Sequence, residues 1–369
     1  MRSWVKYAVC AGIAGAAAAY VAPKVLGPYE RPDAEPVSVL ADGSYASRKS
    51  WEVKGLRKLE FNTINLLHVV NTASGTVEEI LKENGLEEID YRPGQYESSM
   101  YRLKERESFV WENIENIRER ILERLDGDEK IAFDWFAYTK DVRIGKNLFP
   151  YVSPDREMCL SGDDHGVSIK RRVPLKDSSG YWEWKEVERI NCPVRTNRLV
   201  WSQKGDRIAF VGAEGDLISD IWIATSDGIG PVNLTDSIET FEDFPFFAPD
   251  GRIIYSAVTF EHLIPVADKI RRLHEKYKDV KLAGERKKEI NQMFDELIDW
   301  DKFSDVQREG RYDIWIMDQD GKNKRCLTEG LDIPNGPIVF PMCVSEGIIF
   351  RVVGDNVLVL DIYLLELEK

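Results

Sequence analysis

A chain of 369 residues with 43% hydrophobic and 11% aromatic side chains is long enough for one large domain or two ordinary ones, and too rich in core formers to be disordered. Its formal net charge of −14 excludes a general nucleic-acid binder, because no excess of Lys and Arg is there to displace counterions from phosphates. Cys10, Cys159, Cys192, Cys326 and Cys343 form no Cys-x-x-Cys pair and no zinc-like spacing with the four histidines, which excludes a disulfide framework and a zinc module.

In chain order, Arg2 and Lys6 precede an Ala-rich apolar run from Tyr7 to Ala22 that Pro23 ends. For residues 1–26 this predicts either a cleaved signal peptide or a membrane anchor, a transmembrane helix over residues 4–22. Both place the body of the protein outside the cytoplasm, anchored or secreted. Residues 27–50, with Pro28, Pro32 and Pro36, read as an extended linker. Residues 51–127 read as a small α/β or helical subdomain. It has one or two strands in Trp51–Val70, a short helix Thr76–Asn84 stopped by Gly85, and a long helix Ser98–Leu125 with Ile114, Ile117, Ile121 and Leu125 on one face.

Residues 128–369 carry an internal repeat. Arg198–Phe210, Asp220–Gly228 and Asn233-Leu234-Thr235 are short apolar strands separated by Gly- and Asp-bearing turns. Phe247–Tyr255, Asp313–Gly321 and Leu327-Thr328 copy them. Weaker traces are Tyr151–Asp155 with Trp182-Glu183-Trp184, and Gly347–Phe350 with Asp361–Leu365; Asp128–Phe133 echoes Gly205–Phe210. A unit of roughly 40–50 residues with several strands and a recurring aromatic is a propeller-blade pattern.

Ser/Ala-Pro-Asp-Gly, then Ile-x-Tyr/Phe, then Asp-Ile-Trp-x-Met-Asp-x-Asp-Gly and Leu-Thr resembles the TolB-type β-propeller repeat. The matching residues are Ala248–Tyr255, Asp313–Gly321 and Leu327-Thr328, with Trp201–Phe210 and Asp220–Gly228 a looser copy. The resemblance implies an α/β domain followed by a propeller. The expected fold is mainly β, a β-propeller of roughly 4–6 blades with a small N-terminal α/β or helical subdomain.

Residues 261–310 interrupt one unit and read as a helical-hairpin insert. Val266, Ile270, Leu273 and Tyr277 share one face, and Ile290, Met293, Phe294, Leu297 and Ile298 another. Such a small pair needs a surface to cover, on this chain or on a protein partner. Val266, Ile270, Leu273, Tyr277, Met293, Phe294 and Leu297 are therefore the candidate partner-binding residues.

Asp163-Asp164-His165 is the compact cluster of metal-ligand types, and it stands where a hairpin turn belongs. Asp318-Gln319-Asp320-Gly321 begins like a calcium loop but has no Glu at its twelfth position, and reads as a turn. Asn233-Leu234-Thr235 is a formal glycosylation acceptor that coincides with the repeat's Leu-Thr. No nucleophile elbow, His-Glu-x-x-His, phosphate loop or dinucleotide fingerprint occurs, so neither a cofactor nor a catalytic residue is predicted. The expectation is a non-catalytic extracytoplasmic scaffold that binds another protein. The alternatives are a propeller hydrolase or lyase acting on glycans or peptides, and an envelope protein assembling through its helices.

Overall fold

The computed structural model describes residues 51–59, 63–86, 109, 113–139, 153–154, 157–163, 166–174, 182–192, 195–214, 218–228, 230–266, 268–269, 272, 292–293, 296–344, 346–354 and 361–368. The fold is mixed α/β, with four separate antiparallel sheets and a few helices; no sheet closes on itself as a barrel.

The first sheet holds β2 (Met158–Asp163), β3 (Gly166–Pro174) and β4 (Trp182–Asn191), and the second holds β5 (Arg195–Trp201), β6 (Arg207–Glu214), β7 (Ile218–Thr225) and β8 (Val232–Asn233). The third holds β9 (Thr240–Phe247), β10 (Ile253–Thr259), β11 (Tyr312–Met317) and β12 (Arg325–Cys326). In the fourth, β13 (Ile338–Val344), β14 (Gly347–Val352) and β15 (Asp361–Leu367) are joined by β1 (Val53–Lys58) from the far end of the chain.

Consecutive sheets pack face to face, β2 on β5, β5 on β9 and β9 on β13. Side chains alternate across a strand, so a sheet between two others buries both faces. Ile208 and Phe210 of β6 lie in the core shared with Leu160, Ile169 and Ile190 of the first sheet. Ala209 and Val211, between them in sequence, lie in the core shared with Ile253 and Tyr255 of the third. That explains why the strands read as nearly continuous apolar runs. The turns follow the predicted chemistry: Gly251 has φ +91 and Gly321 φ +77, a region that a side chain strains.

β1 closes the fourth sheet in the way the short last strands close the second and third. Asn233 pairs with Trp222, Cys326 with Trp315 and Lys58 with Tyr363. The next residue in each case is a buried Leu whose N–H donates to the strand's Ile carbonyl: Leu234 to Ile221 at 2.8 Å, Leu327 to Ile314 at 2.7 Å and Leu59 to Ile362 at 2.9 Å. Trp51 then ties β1 to the third sheet. Its Nε1 donates to Asp250 at 2.8 Å, Arg325 donates to its carbonyl at 2.6 Å, and the Arg252 guanidinium lies 4.9 Å from its ring centroid.

Three helices pack beside the fourth sheet: α1 (Thr63–Glu83) lies on α2 (Ile114–Leu122) and α3 (Asp128–Thr139), and α3 lies against β13 and β14. Val69, Ala73, Thr76 and Ile80 of α1 are buried at helical spacing and share a core with Ile117, Ile121, Leu125 and Phe133. Two sequence expectations are corrected here. Ile64–Val70 continues a helix and not a strand, because this spacing puts Val69 on the same face as Ala73 and Ile80. Asp128–Phe133 is also helical, its Ala132 and Phe133 facing the helical core. The Ser98–Leu125 helix is seen as α2 with Phe109, while residues 98–108 lie outside the described set.

Among the described residues no helix is long and apolar enough to cross a membrane, which overturns the expected transmembrane helix. α1 spans 21 residues but carries Glu78, Glu79, Lys82 and Glu83. Residues 4–22, on which that expectation rested, lie outside the described set.

Candidate functional site

The edge strands β5, β9 and β13 of three successive sheets share a defect that brings side chains together. β5 has a bulge between Asn197 and Val200, β9 between Asp243 and Phe246, and β13 between Val339 and Met342. In each bulge the same residue takes a left-handed backbone: Arg198 at φ 50, Phe244 at φ 51 and Phe340 at φ 52. Positive φ in a bulky residue costs on the order of 1–3 kcal/mol, and such strain collects where function demands a geometry. A bulge is also the standard way for a strand to re-aim one side chain.

These three side chains meet. The Phe244 and Phe340 rings stand edge to face with centroids 4.6 Å apart, and the Arg198 guanidinium carbon lies 4.1 Å from the first centroid and 5.9 Å from the second. Nε of Arg198 pairs with Asp243 Oδ1 at 3.4 Å. Burial pushes the Asp243 carboxyl above its usual range while the charge of Arg198 pulls it back. The Arg198 side chain remains 43% exposed. The three bulges, here called the rim, therefore carry a cation beside two aromatic rings and held by a carboxylate.

Behind the rim lies a second polar cluster, sealed from solvent. Glu242, next to Asp243 on β9, accepts from Ser237 Oγ at 3.0 Å and from Thr240 Oγ1, both at Oε1, while its buried Oε2 has no hydrogen-bond partner. Burial and the nearby Asp220 charge push its pKa up to about 8, so it is a neutral acid at physiological pH. Asp220 accepts from Thr235 Oγ1 at 2.9 Å, Ser237 N at 3.0 Å and Asn233 Nδ2 at 3.0 Å, and is itself raised by burial. Glu242 is 4% and Asp220 6% exposed, so neither carboxyl reaches a substrate.

The residues singled out from sequence fall elsewhere. Asp163 ends β2 opposite Gly166, the first residue of β3, and Asp164 and His165 lie outside the described set. Among the described residues no three His, Cys, Asp or Glu side chains stand together as a metal site. Of the insert residues, Val266 and Leu297 pack against the main core and Met293 is 37% exposed; Ile270, Leu273, Tyr277 and Phe294 lie outside the described set. The insert's described end is a helix, α4 (Trp300–Glu309), that the sequence reading missed; its Phe303 stacks on Phe260 with centroids 4.3 Å apart. Asn233 of the glycosylation triplet spends its side chain on Asp220.

Sequence reasoning also missed the rim, although a signal was there. Phe244-Pro245 stands four residues before Ala248 and Phe340-Pro341 four before Val344; Arg198-Leu199 holds the same place before Ser202. Ser153 N donates to Met158 O at 2.8 Å as Ser202 N donates to Arg207 O at 2.8 Å, so Ser153 is the matching residue of the first unit. Four residues before it stands Phe149-Pro150, outside the described set.

No family model and no curated protein matches this chain. A solved TolB-type structure from Agrobacterium tumefaciens matches at 17% identity with a TM-score of 0.28, over 50% of this chain and 48% of that one. The likeness is distant. The chain spans about half the length of that structure, and at this level the match carries no argument about function.

Proposed function

We propose that the four sheets are blades of a propeller-type ring, and that the protein is an exported, non-catalytic scaffold binding another protein at the rim. The observation that carries this is the recurrence of one strained bulge in β5, β9 and β13, which gathers Arg198, Phe244 and Phe340 and leaves the Arg198 side chain 43% exposed beside a buried Phe244. The core does not need an exposed guanidinium. The N-terminal strand supports the ring reading, since Leu59 completes the last sheet as Leu234 and Leu327 complete theirs. Export rests on Arg2, Lys6 and the Ala-rich run that follows.

A hydrolase or lyase would draw on the carboxyl pair Glu242 and Asp220, whose environments resemble those that tune catalytic acids. Their burial argues instead for a structural role. The insert, with Met293 exposed, is the second candidate surface for a partner.

Two experiments test the proposal. Partner capture from native extracts should be lost with Arg198→Ala and kept with Met293→Asp; the reverse result moves the site to the insert. A reporter fused after Lys369 should act on the extracytoplasmic side, and activity in the cytoplasm would remove the export reading.

A further inference from the structure

We infer that Arg198 is a carboxylate-binding residue whose ligand carries its acid group next to an apolar or aromatic moiety. The inference rests on the rim being the binding surface and adds the chemistry of what is bound. Arg198 pairs with Asp243 through Nε at 3.4 Å, and its side chain is 43% exposed, which leaves the guanidinium open to solvent. The guanidinium carbon lies 4.1 Å from the Phe244 ring centroid and 5.9 Å from that of Phe340. A guanidinium held at its Nε edge presents its remaining edge as a planar two-pronged donor, the geometry that a carboxylate fills with two parallel hydrogen bonds. A phosphate group, with close to two negative charges, would want further cations, and Asp243 already offsets part of the one charge present. Phe340, half-buried beside the guanidinium, makes the neighbouring surface aromatic. The C-terminal carboxylate of a chain ending in an apolar residue, or a small aromatic acid, fits this surface. Both share the same head group.

Phenylglyoxal, which modifies accessible guanidinium groups, tests this on the full chain, with mass spectrometry reading each arginine separately. Benzoate and the peptide acetyl-Gly-Gly-Phe as the free acid should slow modification of Arg198 about tenfold, as expected for an occupied two-pronged pair. Benzamide and the same peptide as its amide should not, and Arg272, which is exposed on the insert, should be unaffected by all four. Protection by benzoate alone would support the carboxylate site while removing the protein-partner reading. Equal protection by acids and amides, or by none, would overturn the inference, and partner capture by the unmodified protein would then test the binding reading separately. Arg198→Lys, which keeps the charge and loses the fork, should lose partner capture with its melting temperature unchanged; retained capture would show that charge alone suffices and would overturn the two-pronged site.

Discussion

Thr235 Oγ1 donates to Asp220 Oδ1 at 2.9 Å across 15 residues of sequence, and in the next sheet Thr328 Oγ1 donates to Asp313 Oδ1 at 2.8 Å across the same separation. Each Thr oxygen also accepts a backbone N–H, from Ile221 and from Ile314, both at 3.0 Å. The repeat's Asp-Ile-Trp and Leu-Thr are thus two halves of one latch that fastens the short fourth strand to the third. Thr→Val keeps the shape and removes the hydroxyl, leaving the buried N–H of Ile221 or Ile314 unpaired and the Asp oxygen one donor short, at about 1–3 kcal/mol each time. Chemical denaturation of Thr235→Val, Thr328→Val and the double variant should show that loss in each and near-additivity in the pair, because the latches share no partner.

The last sheet has no such latch of its own and borrows β1, some 300 residues away in sequence. Leu59 is 1% exposed and fills the position of Leu234 and Leu327. Leu59→Ala should cost about 2–5 kcal/mol, as buried Leu truncations do. A loss below about 1 kcal/mol would mean that β1 is a loosely held edge and not the closing strand.

How far the sequence speaks depends on the range of the forces involved. The strands of the repeat were readable because the second and third sheets, packed between neighbours, bury both faces and Asp-Gly turns separate their strands, as in Phe247–Tyr255. Asp128–Phe133 and Ile64–Val70 misled because a short apolar run suits a strand or a helix equally, and packing against Ile117, Ile121 and Leu125 decided for helix. The N-terminal strand was visible as a strand, but its partner was not, since nothing local to Val53–Lys58 names β15. The rim was the least legible. No propensity favours positive φ at Phe244 or Phe340, and only the recurrence of Phe-Pro at one place in the unit marked it.

Glu242 and His262 give stability a pH dependence from opposite sides. The folded chain holds Glu242 protonated up to about 8, whereas an unfolded Glu ionises near 4.5, so the folded state binds more protons between those values and stability falls as pH rises through that window. The Glu242 contribution has a slope approaching about 1.4 kcal/mol per pH unit. Asp220, also raised by burial, acts in the same sense, while the Lys324 charge opposes the rise at Glu242. His262 does the reverse: burial, with Lys302 nearby, lowers its pKa, and both ring nitrogens are shielded without partners, so stability is lost as pH falls below about 6.5. Denaturation midpoints from pH 5 to 8 should flatten on the alkaline side in Glu242→Gln and on the acid side in His262→Gln. An unchanged profile in Glu242→Gln would show that this carboxyl is ionised in the fold.

The insert is expected to behave as part of the body. Phe303 is 3% exposed and stacked on Phe260, and Leu263 and Ile298 are buried in the same core. Phe303→Ala should cost about 3–5 kcal/mol, and replacing residues 262–310 by a short Gly-Ser turn should prevent folding, because loop shortening returns only about 0.6 kcal/mol per halving. A deletion variant that melts at the parent temperature would make the insert a detachable docking hairpin.

The rim yields the last prediction, because strain and contact oppose each other there. Arg198→Gly relieves a left-handed residue worth about 1–2 kcal/mol and gives up a cation–π contact of about 0.5–1 kcal/mol with a partly exposed ion pair of about 0.2–1 kcal/mol. The two sides nearly cancel, so stability should move by less than about 1 kcal/mol in either direction. Partner capture should nonetheless disappear. A residue held for folding would show the opposite pattern, a clear drop in the denaturation midpoint with capture falling only in proportion to the unfolded fraction. Measuring both on the same variant separates the alternatives: a strained arginine that contributes little to the fold is kept in that conformation by what it binds.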